Sequence, residues 1–234
     1  MRTIALPAVS VLTVAALAVT LAGGRAAADT YSLFFNKTFS ATDPQPANAA
    51  PWLTAVFEDV DEDLDTAFDY VKLTLAAPGL AADEFSADWY FNNGGNGAAE
   101  ATKIAGMTAT YLSGTAPSAV NLSQNAYKAD GDGKYDLNIT FPQGNSKTLV
   151  NGQTSAYKLT GVDVAFLKDR LSLPEGGHGP FLAAAHIQGL ATGNSVWVHA
   201  SMERDPNIVP EAGLLQFAAF AGLGALALLR RRRA

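Results

Sequence analysis

The sequence predicts an all-β, antiparallel domain of the β-sandwich or jelly-roll kind, set between an N-terminal signal peptide and a C-terminal transmembrane helix. Three observations carry this expectation. Strict apolar–polar alternation recurs through the interior, helical periodicity is confined to one short segment, and both chain ends carry long apolar stretches beside basic residues.

In chain order, Met1-Arg2-Thr3 makes a positive start, Ile4 to Leu21 is almost wholly apolar, and Ala26-Ala27-Ala28 ends in a small-x-small pattern. That is the make-up of a secretory signal over residues 1–28, cut by signal peptidase between Ala28 and Asp29. The stretch Thr42 to Pro51, with three prolines, reads as a linker. Tyr135-Asp136-Leu137-Asn138-Ile139-Thr140-Phe141 alternates without a fault, and Val71 to Leu75 repeats the pattern. Such alternation marks a strand with one buried face, here the Leu137 and Ile139 face. Further strands are expected at Tyr31 to Phe39, Trp52 to Phe57, Glu84 to Phe91, Lys103 to Leu112, Phe181 to Ile187 and Ser195 to Ser201. Val162 to Leu171, with Val164, Leu167 and Leu171 at helical spacing, is the one helical segment expected.

The end of the chain reads differently. Val209-Pro210-Glu211 precedes Ala212 to Leu229, whose only polar side chain is Gln216, and Arg230, Arg231, Arg232 and Arg233 follow. Eighteen helical residues at about 1.5 Å each span roughly 27 Å, near the ~30 Å of a bilayer core. The arginine cluster should stay on the cytoplasmic side, which gives a single crossing with the domain exported.

Composition narrows the function classes. The chain of 234 residues has no cysteine, which excludes disulfides, thiolate metal sites and a cysteine nucleophile. Between residues 29 and 208 there are 10 basic and 21 acidic residues, a net of −11, which argues against nucleic acid or anionic lipid as a partner of the domain. No H-E-x-x-H pair and no G-x-S-x-G elbow is present, and the three histidines, His178, His186 and His199, are widely spaced. His186 sits in an apolar strand and reads as a hydrogen-bonded core side chain. The domain is therefore expected to be non-enzymatic, with no catalytic residue and no obligatory cofactor.

Two binding chemistries are offered by the residues. Asp130-Gly131-Asp132-Gly133-Lys134-Tyr135-Asp136 places Asp130, Asp132 and Asp136 around glycines, a pattern that suits the oxygen ligands of Ca2+, although Lys134 stands where an EF-hand-like loop has a ligand. The simpler reading is an Asp-Gly turn leading into a strand. In the acidic run Glu58 to Asp69, the residues Asp61, Asp63 and Asp65 are spaced to converge on a second cation site, against the plainer reading of a solvated loop. Trp89, Tyr90 and Asn92 combine aromatic rings with an amide, the composition of a sugar site, though neighbouring strand residues point to opposite faces.

The tail of residues 209–234 resembles the PEP-CTERM sorting signal in the order motif, transmembrane stretch and terminal arginine cluster, with Ala212 where that pattern has its second proline. The resemblance implies a substrate of exosortase, a membrane protease-transpeptidase of Gram-negative bacteria that make exopolysaccharide, with Val209, Pro210 and Glu211 as the recognised motif. It implies a precursor anchored in the inner membrane that ends at the cell surface or in the extracellular matrix. The interior segments Ala77-Pro78-Gly79-Leu80, Trp89-Tyr90-Phe91-Asn92, Lys128 to Asp136 and Ala184-Ala185-His186-Ile187-Gln188-Gly189 resemble an uncharacterised domain that recurs before this tail. That second resemblance implies no activity. The reading that follows is an exported surface or matrix protein associated with exopolysaccharide, with a calcium-assisted carbohydrate-binding module as the alternative.

Overall fold

Eleven strands build one antiparallel sheet in the computed structural model, which describes residues 28–201 apart from 64, 66, 94–96, 131, 144–148 and 174–177. The expected signal peptide before residue 28 and the sorting tail of residues 209–234 lie outside the described residues. Among the described residues, no helix is long and apolar enough to cross a membrane.

The strands are β1 (Thr30–Thr38), β2 (Leu53–Val60), β3 (Tyr70–Ala76), β4 (Phe85–Phe91), β5 (Thr108–Gly114), β6 (Ala119–Ala129), β7 (Asp132–Thr140), β8 (Leu149–Val150), β9 (Thr154–Thr160), β10 (Ala183–Gln188) and β11 (Ser195–Ser201). Two short helices join them, α1 (Ala98–Ala105) and α2 (Val164–Leu167). The order across the sheet is β5-β9-β3-β2-β1-β11-β10-β4-β7-β6, with β8 on an end of β4. The edge strands β5 and β6 approach each other without forming a ladder, and α1 lies against β6. The sheet thus curls into a nearly closed barrel. The all-β, antiparallel expectation holds, while the expected sandwich or jelly roll is not confirmed, since all the ladders join into one sheet.

Alternation is what places the core. In β2 (LTAVFEDV) buried and partly buried residues alternate from end to end, and β1, β3 and β11 follow the same rhythm. The inward faces supply Leu33, Phe35, Leu53, Phe57, Leu73, Trp89, Phe91, Leu137, Ile139, Ile187 and Val198, all within one cluster. As expected, Leu137 and Ile139 point inward and are fully buried.

Several expectations shift. The strand expected from Lys103 begins only at Thr108, because Ala98 to Ala105 is helical. That segment is alanine-rich, with Glu100 in its first turn and Lys103 in its last, a charge order that suits the helix dipole. The expected helix Val162 to Leu171 shrinks to the four residues of α2. Asp163 caps it by accepting from the Phe166 N–H at 2.7 Å, and Asp169 at φ 60° follows its end, leaving Leu171 half exposed. β2 holds α2 in place, since the buried carboxylate of Asp59 accepts from the Val164 N–H at 2.9 Å. β6, β8 and β9 went unread in the sequence.

Candidate functional site

The outward face of β11, β10, β4, β7 and β6 carries most of the exposed chemistry that the barrel organises. Register sets two rows across it. One runs Trp197–His186–Asp88–Thr140–Ala119, and its neighbour runs Lys37–His199–Ala184–Tyr90–Asn138–Asn121, starting on β1. In the middle of the face the row residues lie between inward-facing neighbours along their strands, as Trp197 lies between Val196 and Val198, and Tyr90 between Trp89 and Phe91.

The aromatic members pack against one another. The His186 ring lies parallel to Trp197, with centroids 4.5 Å apart and planes inclined by 10°. Tyr90 leans over Ala184 toward Trp197, 5.7 Å away, and toward Tyr135, also 5.7 Å away. At one end of the face His199 stacks on Phe181 at 4.1 Å, and Phe39 closes over both. Burial holds the His199 imidazole below its ordinary value of 6.5, aided by the charge of Lys37, so the ring is neutral near pH 7. Burial, with the nearby Asp88 carboxylate, pushes the Tyr90 hydroxyl up to about 12 and keeps it protonated.

Polar groups frame the rings. His186 Nδ1 lies 3.8 Å from Asp88 Oδ2, too far for a hydrogen bond, and 3.2 Å from Gln188 Nε2. Gln188 also donates to Gln143 Oε1 at 3.1 Å. Asn121 Nδ2 donates to Asn138 Oδ1 at 3.2 Å. Beyond His186 and Trp197 the same face continues through the pair Gln188 and Ser195 into a hollow of about 450 Å³, lined by Gln188, Gly189, Gly193, Asn194 and Ser195. The face therefore combines a packed aromatic wall with a recess of amides, hydroxyl and backbone.

Of the expected sugar residues, the structure brings only Tyr90 to this face. Trp89 is fully buried in the barrel, edge-on to Phe35, because its strand turns alternate side chains to opposite sides. Asn92 is buried as well; with its amide oriented to match its neighbours, it donates to the Lys134 carbonyl at 3.0 Å and accepts from the Ser172 N–H at 2.7 Å. A sugar-contacting role for Trp89 and Asn92 is thereby corrected to structural ones. His186, expected in the core, sits instead in the outward row. Trp197 was not among the expected site residues, although the alternation of Ser195-Val196-Trp197-Val198-His199-Ala200-Ser201 sends Trp197 and His199 to the face opposite the valines.

The carboxylates sort similarly. Asp130 forms the exposed turn of the β6–β7 hairpin at φ 50°, as an Asp-Gly turn does, while nothing is described of the Asp132 side chain. Asp136 is 1% exposed, and its two oxygens accept from the Asn93 N–H at 3.0 Å and the Asn125 N–H at 2.7 Å. It plugs a bulge in which Ser123 to Ala126 of β6 face it alone between two paired positions. Both oxygens of Asp136 are thus engaged by backbone N–H groups of the sheet. The carboxylates that do converge are Asp61, Asp63 and Asp65, whose oxygens lie within 4.8 Å of one another and could hold a hard cation. Asp63 and Asp65 are exposed and already accept from the N–H groups of Asp65 and Ala67, as in a self-bonded acidic loop.

A second recess, of about 510 Å³, lies at the seam where the barrel does not close, between α1, β5 and β6. Ile104, Met107, Val120 and Leu122 line it together with the polar Thr108, Ser123 and Gln124, and none of these described lining residues is titratable.

Fold and surface together define an all-β, single-sheet, nearly closed antiparallel barrel with an aromatic and polar outer face. No protein-family model, curated protein or solved structure matches the chain.

Proposed function

We propose that the chain is an exported, non-enzymatic protein of the cell surface or extracellular matrix. Signal peptidase removes residues 1–28, the helix of the tail holds the precursor in the inner membrane, and an exosortase-type protease recognises Val209, Pro210 and Glu211 and releases the domain outward. The tripartite order of residues 209–234 carries this reading. Two features of the fold support it. Tyr31 is the first buried side chain among the described residues, so cutting before Asp29 leaves every described strand intact, and β1 pairs with β11, so the first and last described strands lie side by side. The lack of cysteine fits a domain held by its core alone.

The test is replacement of Pro210 and Glu211 by alanine in a host that carries an exosortase. Both chains should begin at Asp29, but the wild-type chain should lose its tail and leave the membrane fraction, whereas the variant should keep its tail and stay there. Equal processing of the two overturns the sorting reading.

A further inference from the structure

We propose that the outer face around Trp197, His186 and Tyr90, together with the hollow beside Gln188, is a binding site for a neutral, pyranose-containing oligosaccharide. The juxtaposition is specific: a rigid wall of three rings on β4, β10 and β11 passes directly into a recess lined by Gln188, Asn194, Ser195 and glycine backbone. A sugar ring presents C–H-rich surfaces and dense hydroxyls at once. The first suits partly exposed aromatic rings, and the second suits amides, hydroxyls and a carboxylate set at fixed positions.

Size and rigidity agree with that ligand. Trp197 and Asp88 are two strands apart, about 10 Å at the ~4.8 Å strand spacing, and the hollow extends the face along the strands. The ring wall is preorganised, because His186 is stacked on Trp197 and held by Gln188, so binding immobilises few side chains. Charge selects the class. Asp88 is the only carboxylate in the two rows, Lys37 at the far end is the only ammonium, and the domain carries a net of −11. Uronic-acid or sulfated chains are disfavoured by that field, and neutral or N-acetylated ones are not. The site is independent of sorting, since nothing in it involves either terminus.

The protein contains its own reporter. Of its three tryptophans, Trp52 and Trp89 are 3% and 0% exposed, and only Trp197 is partly open to solvent. The purified full chain is screened on an array of neutral and uronic-acid oligosaccharides. Its tryptophan emission and acrylamide quenching are then followed with chitotetraose, cellotetraose, maltotetraose and tetragalacturonate. A neutral glycan should bind, protect Trp197 from quenching and shift its emission, with little dependence on salt. Trp197→Ala should weaken binding about tenfold or more, as loss of an aromatic anchor does. Gln188→Ala, on the rim and outside the core, should weaken it about threefold or more with unchanged thermal unfolding, which keeps the test valid if Trp197→Ala does not fold. No binding to any neutral glycan, binding confined to acidic glycans, or neutral binding unchanged in Gln188→Ala and, where it folds, in Trp197→Ala overturns the proposal. Sorting can fail or succeed without changing any of these outcomes.

Discussion

Trp89 and Tyr90 are neighbours in β4, and the barrel wall separates their fates. Trp89 is fully enclosed with Phe35 and Phe91, in a face made of aliphatic and aromatic side chains, while Tyr90 shares the outer face with Trp197, His186 and Asp88. The inner face is continuous around the whole barrel. The outer face concentrates its rings on β4, β7, β10 and β11, where Phe39 and Phe181 also gather, and elsewhere carries pairs such as Glu58 with Lys72 at 3.8 Å. The contrast is one of packing: the inward residues share one continuous core, whereas the outward rings form a smaller cluster around Phe39, Tyr135 and Ala184 that stays partly open at Tyr90 and Trp197.

The largest effect that would sharpen this comparison is at Ile139. Ile139→Ala should cost about 2 to 5 kcal/mol in urea unfolding, through lost burial and a residual cavity inside the barrel. Asp136→Ala follows. It removes the acceptor of the buried Asn93 N–H and of the partly buried Asn125 N–H in the β6 bulge and should cost about 1 to 3 kcal/mol, with loosening reported by faster amide exchange at Asn93 and Asn125.

A smaller effect tests the aromatic end of the outer face. His199 titrates below its ordinary 6.5 in the folded chain because of burial and then Lys37, so between those two values the unfolded chain binds more protons than the native one. Stability should therefore rise with pH across that window and be lost as pH falls from about 6.5. The His199→Phe variant should show a flatter profile there. An identical pH profile for wild type and variant would mean that His199 is not held neutral against Phe181. The smallest change is at Thr140, next to Ile139 but facing out. Thr140→Ala should stay within about 0.5 kcal/mol of wild type, and a loss comparable to that of Ile139→Ala would break the assignment of faces.

How much of this was legible in the sequence depends on the strand. β7 and β11 were readable because their residues alternate apolar and polar, although in β7 the polar Asp136 and Asn138 are buried too. β6 and β9 were not. β6 is an edge strand interrupted by a bulge at Ser123 to Ala126, so its pattern slips, and β9 buries Ser155 and Ala156 beside Tyr157, which blurs the alternation. The candidate site was legible only at Tyr90. Its ring partners His186 and Trp197 come from strands more than ninety residues away, and no local pattern says that they will be cross-strand partners.

By itself the sequence determined the class of the domain, the inward set Leu137 and Ile139, and the turn at Asp130, because alternation and turn chemistry are local. Its terminal segments stand as sequence readings to be tested by processing. Only the tertiary structure decided that the strands join into one curled sheet, that Asp136 is a buried acceptor, and that rings from β4, β10 and β11 share a face. Register and closure depend on which strands meet. That choice is made by long-range burial of the inward faces, a sum over the whole barrel that no single segment records.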